Sequence, residues 1–311
     1  MLLETGASHA WFSPWEPSSV GSDGRPECAW TVLLPFFNER DYLGDTIASL
    51  AAQDQPVRLI LVDNGSTDGS GEIAMAACRH HGLHFTLIQE RAPGKVHALR
   101  SGLELVRTPY VATCDADTWY PDDYLSQAGR LLEAREDAAA AGAYFVAPGA
   151  PRRKHVAAAW HIVIAASLLP KQCHTGGAGQ VFRTARLRAA GGFDPSRWNY
   201  VLEDHEIMHR IVGTGAIEYG GGFWCTPSAR ERDRESIRWT LIERLLYHVT
   251  PTRWRDRFFY EYLGPRLKAR RLTSERMRER QFQNAGQSIG RNLAAFDTPA
   301  FRDDAPYSVR G

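Results

Sequence analysis

Asp115 and Asp117 stand two residues apart at the end of the apolar run 110–114 (YVATC). Two carboxylates so close repel unless a cation lies beside them, and hard oxygen donors suit Mg2+ or Mn2+, particularly where phosphates complete the shell. A solvated turn, or an N-cap at Asp117, is the structural alternative. Asp63 closes another apolar run, 58–63 (RLILVD), and opens the turn Asp63-Asn64-Gly65-Ser66-Thr67-Asp68. Turn and cap chemistry explains most of that segment, with Asp68 starting a helix, while Asp63 could accept from a base imide or a ribose hydroxyl. Ala92-Pro93-Gly94-Lys95 opens a helix whose N-terminus and lysine favour an anion such as phosphate. It lacks the P-loop pattern, and Lys95 could equally be an exposed helix residue.

Residues 203–209 (EDHEIMH) contain a literal H-E-x-x-H at His205, Glu206 and His209. Two histidines one helical turn apart could hold zinc, which makes a zinc metallohydrolase the competing enzyme reading. The following residues, 210–215 (RIVGTG), supply no further histidine for a zincin. The structural alternative is a pair of ordinary helix histidines.

These residues need a scaffold, and the chain supplies one. From residue 30 to residue 144, short β-branched runs alternate with helical runs, the signature of βαβ units. Strands are predicted at 31–37, 58–63, 85–89 and 110–114, and helices at 42–52, 68–81 and 95–106. Continuous apolar strands imply a mainly parallel sheet covered on both faces by helices, and ligands then sit beyond the carboxyl ends of the strands. Beyond residue 144 the pattern weakens into an apolar helix, the Gly-rich turn 176–179, a short strand with a helix, and Gly191-Gly192-Phe193-Asp194.

The order of these motifs is similar to that of family 2 glycosyltransferases with the GT-A fold: strand-end Asn38-Glu39, Asp63 with its Gly-Ser turn, Gly94-Lys95, Asp115-x-Asp117, the Gly-rich turn with Gly-Gly-Phe-Asp, and Glu203-Asp204 on a helix. The resemblance covers residues 31–215. It implies an inverting, non-processive transferase acting on a nucleotide-diphosphate sugar, with UDP favoured. It further implies that Pro35, Phe36 and Glu39 line the nucleoside, that Asp63 receives the base, and that Lys95 lies near the nucleotide. Asp115 and Asp117 would be the pair for Mn2+ or Mg2+, with Asp117 the direct ligand, and Asp204 the catalytic base, with Ile207 and Arg210 completing its helix motif. Asn64 departs from the family's second acid, a modest change that should leave Asp63 free to act. Arg238-Trp239 resembles the end of the Q-x-x-R-W motif of processive synthases, but Glu235 replaces the glutamine. A catalytically silent nucleotide-sugar-binding protein on the same fold is the third class, because fold does not fix function.

Composition bounds the remainder. The chain has 311 residues, 43% hydrophobic and 23% charged, which excludes a disordered or collagen-like protein. Its net charge of +1 argues against a nucleic-acid coat. Five scattered cysteines without a C-x-x-C pair suggest neither a disulfide framework nor a cysteine zinc cluster, and fit a reducing cytoplasm. Residues 156–169 form the longest apolar stretch, too short for a spanning helix. The expected division is an N-terminal arm (1–29) with no charged-then-apolar leader, a catalytic domain (30–229) and a helical Arg/aromatic-rich extension (230–311). Around Trp254, Arg255, Arg257, Phe258, Phe259 and Tyr260, that extension suits either an anionic membrane surface carrying a lipid-linked hydroxyl acceptor, or a helix packed on the domain.

Overall fold

The structure is a computed structural model that describes residues 11–12, 28–229 and 239–275. The first strand, β1 (Trp11–Phe12), precedes the alternation β2 (Trp30–Phe36), α1 (Leu43–Ala51), β3 (Val57–Asp63), α2 (Ser70–His80), β4 (His84–Gln89), α3 (Lys95–Leu105) and β5 (Tyr110–Thr113). The neighbouring strands β2, β3, β4 and β5 pair in parallel, so their carboxyl ends share one edge, with Phe36 opposite Asp63 and Asp63 opposite Gln89. Alternation along each strand sends side chains to opposite faces. Val32, Leu34, Leu59 and Leu61 meet Ile47 and Leu50 of α1 and Ala74 of α2, whereas Leu33, Ile60 and Val62 meet Val96, Leu99 and Leu103 of α3. A Cβ at Gly102 would fall 2.1 Å from Leu33 Cδ1, so only glycine lets α3 lie this close to the sheet.

The chain continues through β6 (Thr118–Trp119), α4 (Tyr124–Glu133), β7 (Ala138–Phe145), α5 (Arg152–Leu168), β8 (Gln180–Arg183), α6 (Thr184–Ala189), α7 (Glu203–Ile211) and β9 (Ala216–Pro227). Here the sheet departs from the mainly parallel expectation. β8 inserts antiparallel between β5 and β7, β9 runs parallel to β7, and β6 closes the edge antiparallel to β9. The resulting mixed order is β1-β4-β3-β2-β5-β8-β7-β9-β6. β7 reads AAAAGAYF, a composition with helical rather than strand propensity, and its burial between β8 and β9 overrides that preference. The arm, set aside in the sequence reading, adds β1, whose Trp11 pairs antiparallel with Leu87 of β4.

After residue 239 the described chain is helical: α8 (Leu241–Val249), a π-helical segment (Arg257–Leu263) and α9 (Gly264–Ala269). Trp198, Tyr247, Phe258, Phe259, Leu263 and Leu267 form a separate apolar cluster that holds this segment against the domain. Of the stretch expected either to meet a membrane or to pack, Arg255, Phe258 and Phe259 are buried, and the Arg255 guanidinium donates to the Lys171 carbonyl. That stretch packs on the domain through these three residues, while Trp254 and Arg257 are exposed. Among the described residues no helix is long and apolar enough to cross a membrane.

Candidate active site

The carboxyl edge of the parallel strands gathers the first group of residues. Pro35 and Phe36 are buried at the end of β2, and Glu39 is partly exposed just beyond it. Asn38 adopts a left-handed φ of 53°. Its side-chain oxygen accepts from the Thr67 backbone N–H at 2.8 Å. Ser70 Oγ accepts from the Glu39 backbone, and Asp68 accepts from both Arg40 and Ser70. The loop after β2 is thus tied to the turn after β3. Asp63 is buried, and its Oδ1 accepts from the Ser66 N–H at 2.7 Å. Asp68 does not itself start the helix: Gly69, with φ 87°, is the N-cap of α2.

Asn64 is more than a tolerated replacement. Its amide donates to the carbonyls of Glu90 and Ala92, at 3.0 and 2.8 Å, and its oxygen accepts from the Gly94 N–H at 2.8 Å. A carboxylate can only accept, so it could not make the first two bonds. Asn64 therefore anchors the loop that delivers Lys95.

Lys95 begins α3 and donates to Asp115 Oδ1 at 2.7 Å, with Glu203 Oε1 at 3.3 Å. Burial alone would lower the Lys95 pKa, but the carboxylates of Asp115 and Glu203 outweigh it and hold the ammonium above the ordinary lysine range. Asp117 is 4% exposed, lies just before β6, and accepts from Ser228 Oγ at 2.9 Å, while its carbonyl accepts from the Ser228 N–H. It caps no helix.

Glu203 and Asp204 open α7 after Leu202, whose left-handed φ of 66° turns the chain into the helix. One oxygen of Asp204 accepts from the His205 backbone at 2.8 Å and lies 3.0 Å from His205 Nδ1. Burial would raise the Asp204 carboxyl, but His205, Lys95 and the backbone N–H outweigh it and hold the group below the usual carboxylate range. Burial lifts Glu203 instead, against the opposing pull of Lys95. The Gly-rich turn packs against these groups. A Cβ at Gly177 would lie 3.0 Å from Lys95 Nζ and 3.7 Å from Asp204 Cβ, and one at Gly176 would lie 3.6 Å from Asp204 Oδ2. Lys95 thus connects the Asp115 end of the site to the Glu203-Asp204 end, 20 residues away from Asp115 in one direction and far down the chain in the other.

The H-E-x-x-H residues diverge. His205 turns to Asp204, while His209 Nε2 lies 2.7 Å from Asp256 Oδ1. Glu206 accepts from Nε and Nη2 of the Arg210 guanidinium, each at 2.8 Å, and from the Tyr260 hydroxyl. Among the described residues no group of three or more His, Cys, Asp or Glu side chains could hold a metal ion. The zinc reading has no geometric support. Arg238 of the incomplete Q-x-x-R-W motif lies outside the described residues, whereas Trp239 packs against His205 with ring centroids 5.1 Å apart.

Glu203 is visible beside Asp204 in the helix motif, but its tie to Lys95 is not. Two further contributors are not legible in the sequence. Ser228 lies 111 residues from Asp117. Gln180, whose amide donates to the Asp204 carbonyl at 3.0 Å, was hidden in a four-residue strand.

A mixed sheet flanked by helices, in this strand order, has the GT-A architecture. The chain belongs to glycosyl transferase family 2, whose sequence model matches residues 31–188, just over half of the 311 residues. It is 27% identical over 193 residues to the uncharacterised glycosyltransferase YaiP of Escherichia coli, covering 59% of this chain and 48% of that protein. It is also 27% identical over 116 residues to the glycosyltransferase GlyG of Streptococcus pneumoniae, covering 37% of this chain and 38% of that one. The chain therefore spans about half or less of the length of these curated relatives. Among solved structures, a mannosyltransferase from Pyrobaculum calidifontis in complex with GDP-Man and Mn2+ superposes with a TM-score of 0.59 at 21% identity, over 83% of this chain and 77% of that one. TarS of Staphylococcus aureus, in complex with UDP-GlcNAc, does so with a TM-score of 0.51 at 18% identity, over 75% and 71%. These likenesses establish the fold.

Proposed function

We propose that this chain is an inverting, non-processive glycosyltransferase that moves a sugar from a nucleotide-diphosphate donor, with UDP-sugars as the expected class, to an acceptor hydroxyl in envelope glycan or glycolipid synthesis. The observation that carries the reading is Asp204: a carboxylate at the start of α7 whose pKa His205 and Lys95 hold low against burial, seated against the Gly176-Gly177 turn and next to Glu203, which Lys95 bridges to Asp115. On this reading Pro35, Phe36, Glu39 and Asp63 line the nucleoside on the strand edge, and Lys95 lies beside the diphosphate.

Asp204 takes the proton of the acceptor hydroxyl as the acceptor oxygen attacks the anomeric carbon. The bond from that carbon to the diphosphate breaks, its electron pair leaves with the diphosphate, and configuration inverts. A positioned base of this kind contributes about 10²- to 10⁴-fold. On this reading Asp115 and Asp117, the latter oriented by Ser228 Oγ, would hold Mg2+ or Mn2+ where phosphate oxygens supply the further ligands. Such a cation, when bound, offsets charge on the departing diphosphate.

Thermal unfolding with UDP, GDP, CDP and dTDP sugars, each with and without Mn2+, tests the donor reading. A specific donor at about 100 times its Kd adds roughly 2.7 kcal/mol of stability. A manganese-dependent shift with one nucleotide, strongest for UDP, is expected; no shift with any of them removes the proposal.

A further inference from the structure

The exposed large apolar side chains of the described residues are concentrated. Apart from Phe145, they fall on α5 with the residue after it, on α8, or on Trp254. Val156, Trp160, Ile164 and Leu168 recur every fourth residue along α5, so they make one stripe, with Leu168 74% exposed. On α8, Leu241, Ile242, Leu245 and Val249 share the outer face, and Leu241 is 87% exposed. The inner face of α8 carries Glu243, which is buried, closes a capping box with Thr240 and pairs with Arg270 at 3.0 Å. This helix buries an acid beside Tyr247 and Leu246 and leaves four large apolar side chains outward, more than a helix that only covers a domain exposes.

The segment just past α5 is tied to the carboxyl end of α8. Gln172, just past α5, donates to the His248 carbonyl at 3.0 Å, and its oxygen lies 2.7 Å from His248 Nδ1. Cations border both stripes: Arg152, Arg153 and Lys154 in the first turn of α5, Lys171 past its end, and Arg244 and Arg253 on and after α8, all exposed. Residues 152–171 contain no acid. The exposed Asp256 is bound to His209. Trp160 and Trp254, each about half exposed, have the amphipathic rings that sit at a headgroup boundary.

We infer that the outer faces of α5 and α8 together dock this protein in the plane of an anionic lipid bilayer. Apolar insertion combined with a cationic border is the chemistry of such surfaces. The docked face begins beside the reacting groups, since Trp239, two residues before α8, packs on the His205 ring next to Asp204. Resting on the reading of Asp204 as base, this placement assigns the acceptor to the lipid-linked class.

Flotation of the full chain with phosphatidylcholine vesicles, and with vesicles that also contain phosphatidylglycerol, tests the surface. The protein should float with the anionic vesicles, weakly or not at all with the neutral ones, and less at high salt. Leu245→Glu and Trp160→Glu should each cut the vesicle-bound fraction about ten-fold or more. Both positions are exposed, so thermal unfolding and donor binding should stay unchanged. The inference is overturned if the wild-type chain stays in the dense fraction with anionic vesicles, or if both variants float as it does. It is equally overturned if light scattering finds a dimer that Leu245→Glu splits while no vesicle binds. Donor binding and transfer, measured on the same preparations, separate failure of the surface from failure of the transferase reading: flotation without any transfer leaves the surface standing.

Discussion

Asp204 commits one carboxylate oxygen, Oδ1, to His205, at 2.8 Å from its backbone nitrogen and 3.0 Å from its ring Nδ1, and leaves Oδ2 toward Gly176. The arrangement fixes the carboxylate and favours its charged form. Asp204→Asn keeps the shape and removes the basicity. Transfer should fall by about 10²- to 10⁴-fold while donor affinity, read by calorimetry, stays at the wild-type value. Normal turnover by this variant would take Asp204 out of the role.

His205→Ala tests how the base is held. Because the fold depresses the Asp204 pKa, the base stays ionised as pH falls, and the acid limb of kcat/KM should lie below the ordinary aspartate value of about 3.9. Removing His205 leaves burial, which raises the carboxyl, less opposed. The acid limb should then move to higher pH, with the rate at neutral pH affected less. An unmoved limb would mean that His205 only packs.

Asp117→Ala should abolish the dependence of donor binding on manganese, and Ser228→Ala should weaken it more mildly, since Ser228 only orients the carboxylate, from 2.9 Å. Titration with Mn2+ at fixed donor concentration distinguishes the two. A wild-type metal response in Asp117→Ala contradicts the cation site.

Restoring the family's acid with Asn64→Asp should destabilise this chain. The carbonyls of Glu90 and Ala92 lose their donor, and a carboxylate replaces it among acceptors. Losing these two part-buried hydrogen bonds costs about 1 kcal/mol each. Denaturant unfolding should show a lower midpoint, together with weaker donor binding as Lys95 loses its anchored loop.

Gly177→Ala should separate stability from activity. The added Cβ meets Lys95 Nζ, the far end of a flexible side chain, at 3.0 Å, so the fold can yield by less than about 0.5 kcal/mol. Displacing Lys95 from between Asp115 and Glu203 should nevertheless slow transfer. Equal rates for variant and wild type would show that the contact between turn and lysine is idle.

The residues of the strand edge were legible in sequence because a parallel sheet leaves a plain record. Runs such as RLILVD bury both faces, must end where polarity returns, and so place Asp63 and Asp115 at the ligand edge without any knowledge of partners. The order of motifs supplied the family in the same way. Pairing between distant segments left no such record. AAAAGAYF reads as helix, and only its place between β8 and β9 makes it a strand. Ser228 reaches Asp117, and Lys95 reaches Glu203, through contacts whose cost in chain entropy is met by the whole packed sheet rather than by a local pattern.

The extension shows the same division most sharply. Its aromatics and arginines were visible as composition, yet composition is silent about which face of a helix turns outward. The sequence by itself determined the polar edge of the parallel strands and the family, since local periodicity dictates strand ends and their polar residues. Tertiary structure alone decided that Phe258 and Phe259 are core while Leu241 and Leu245 meet the exterior, because burial is settled by what a helix face finds opposite it.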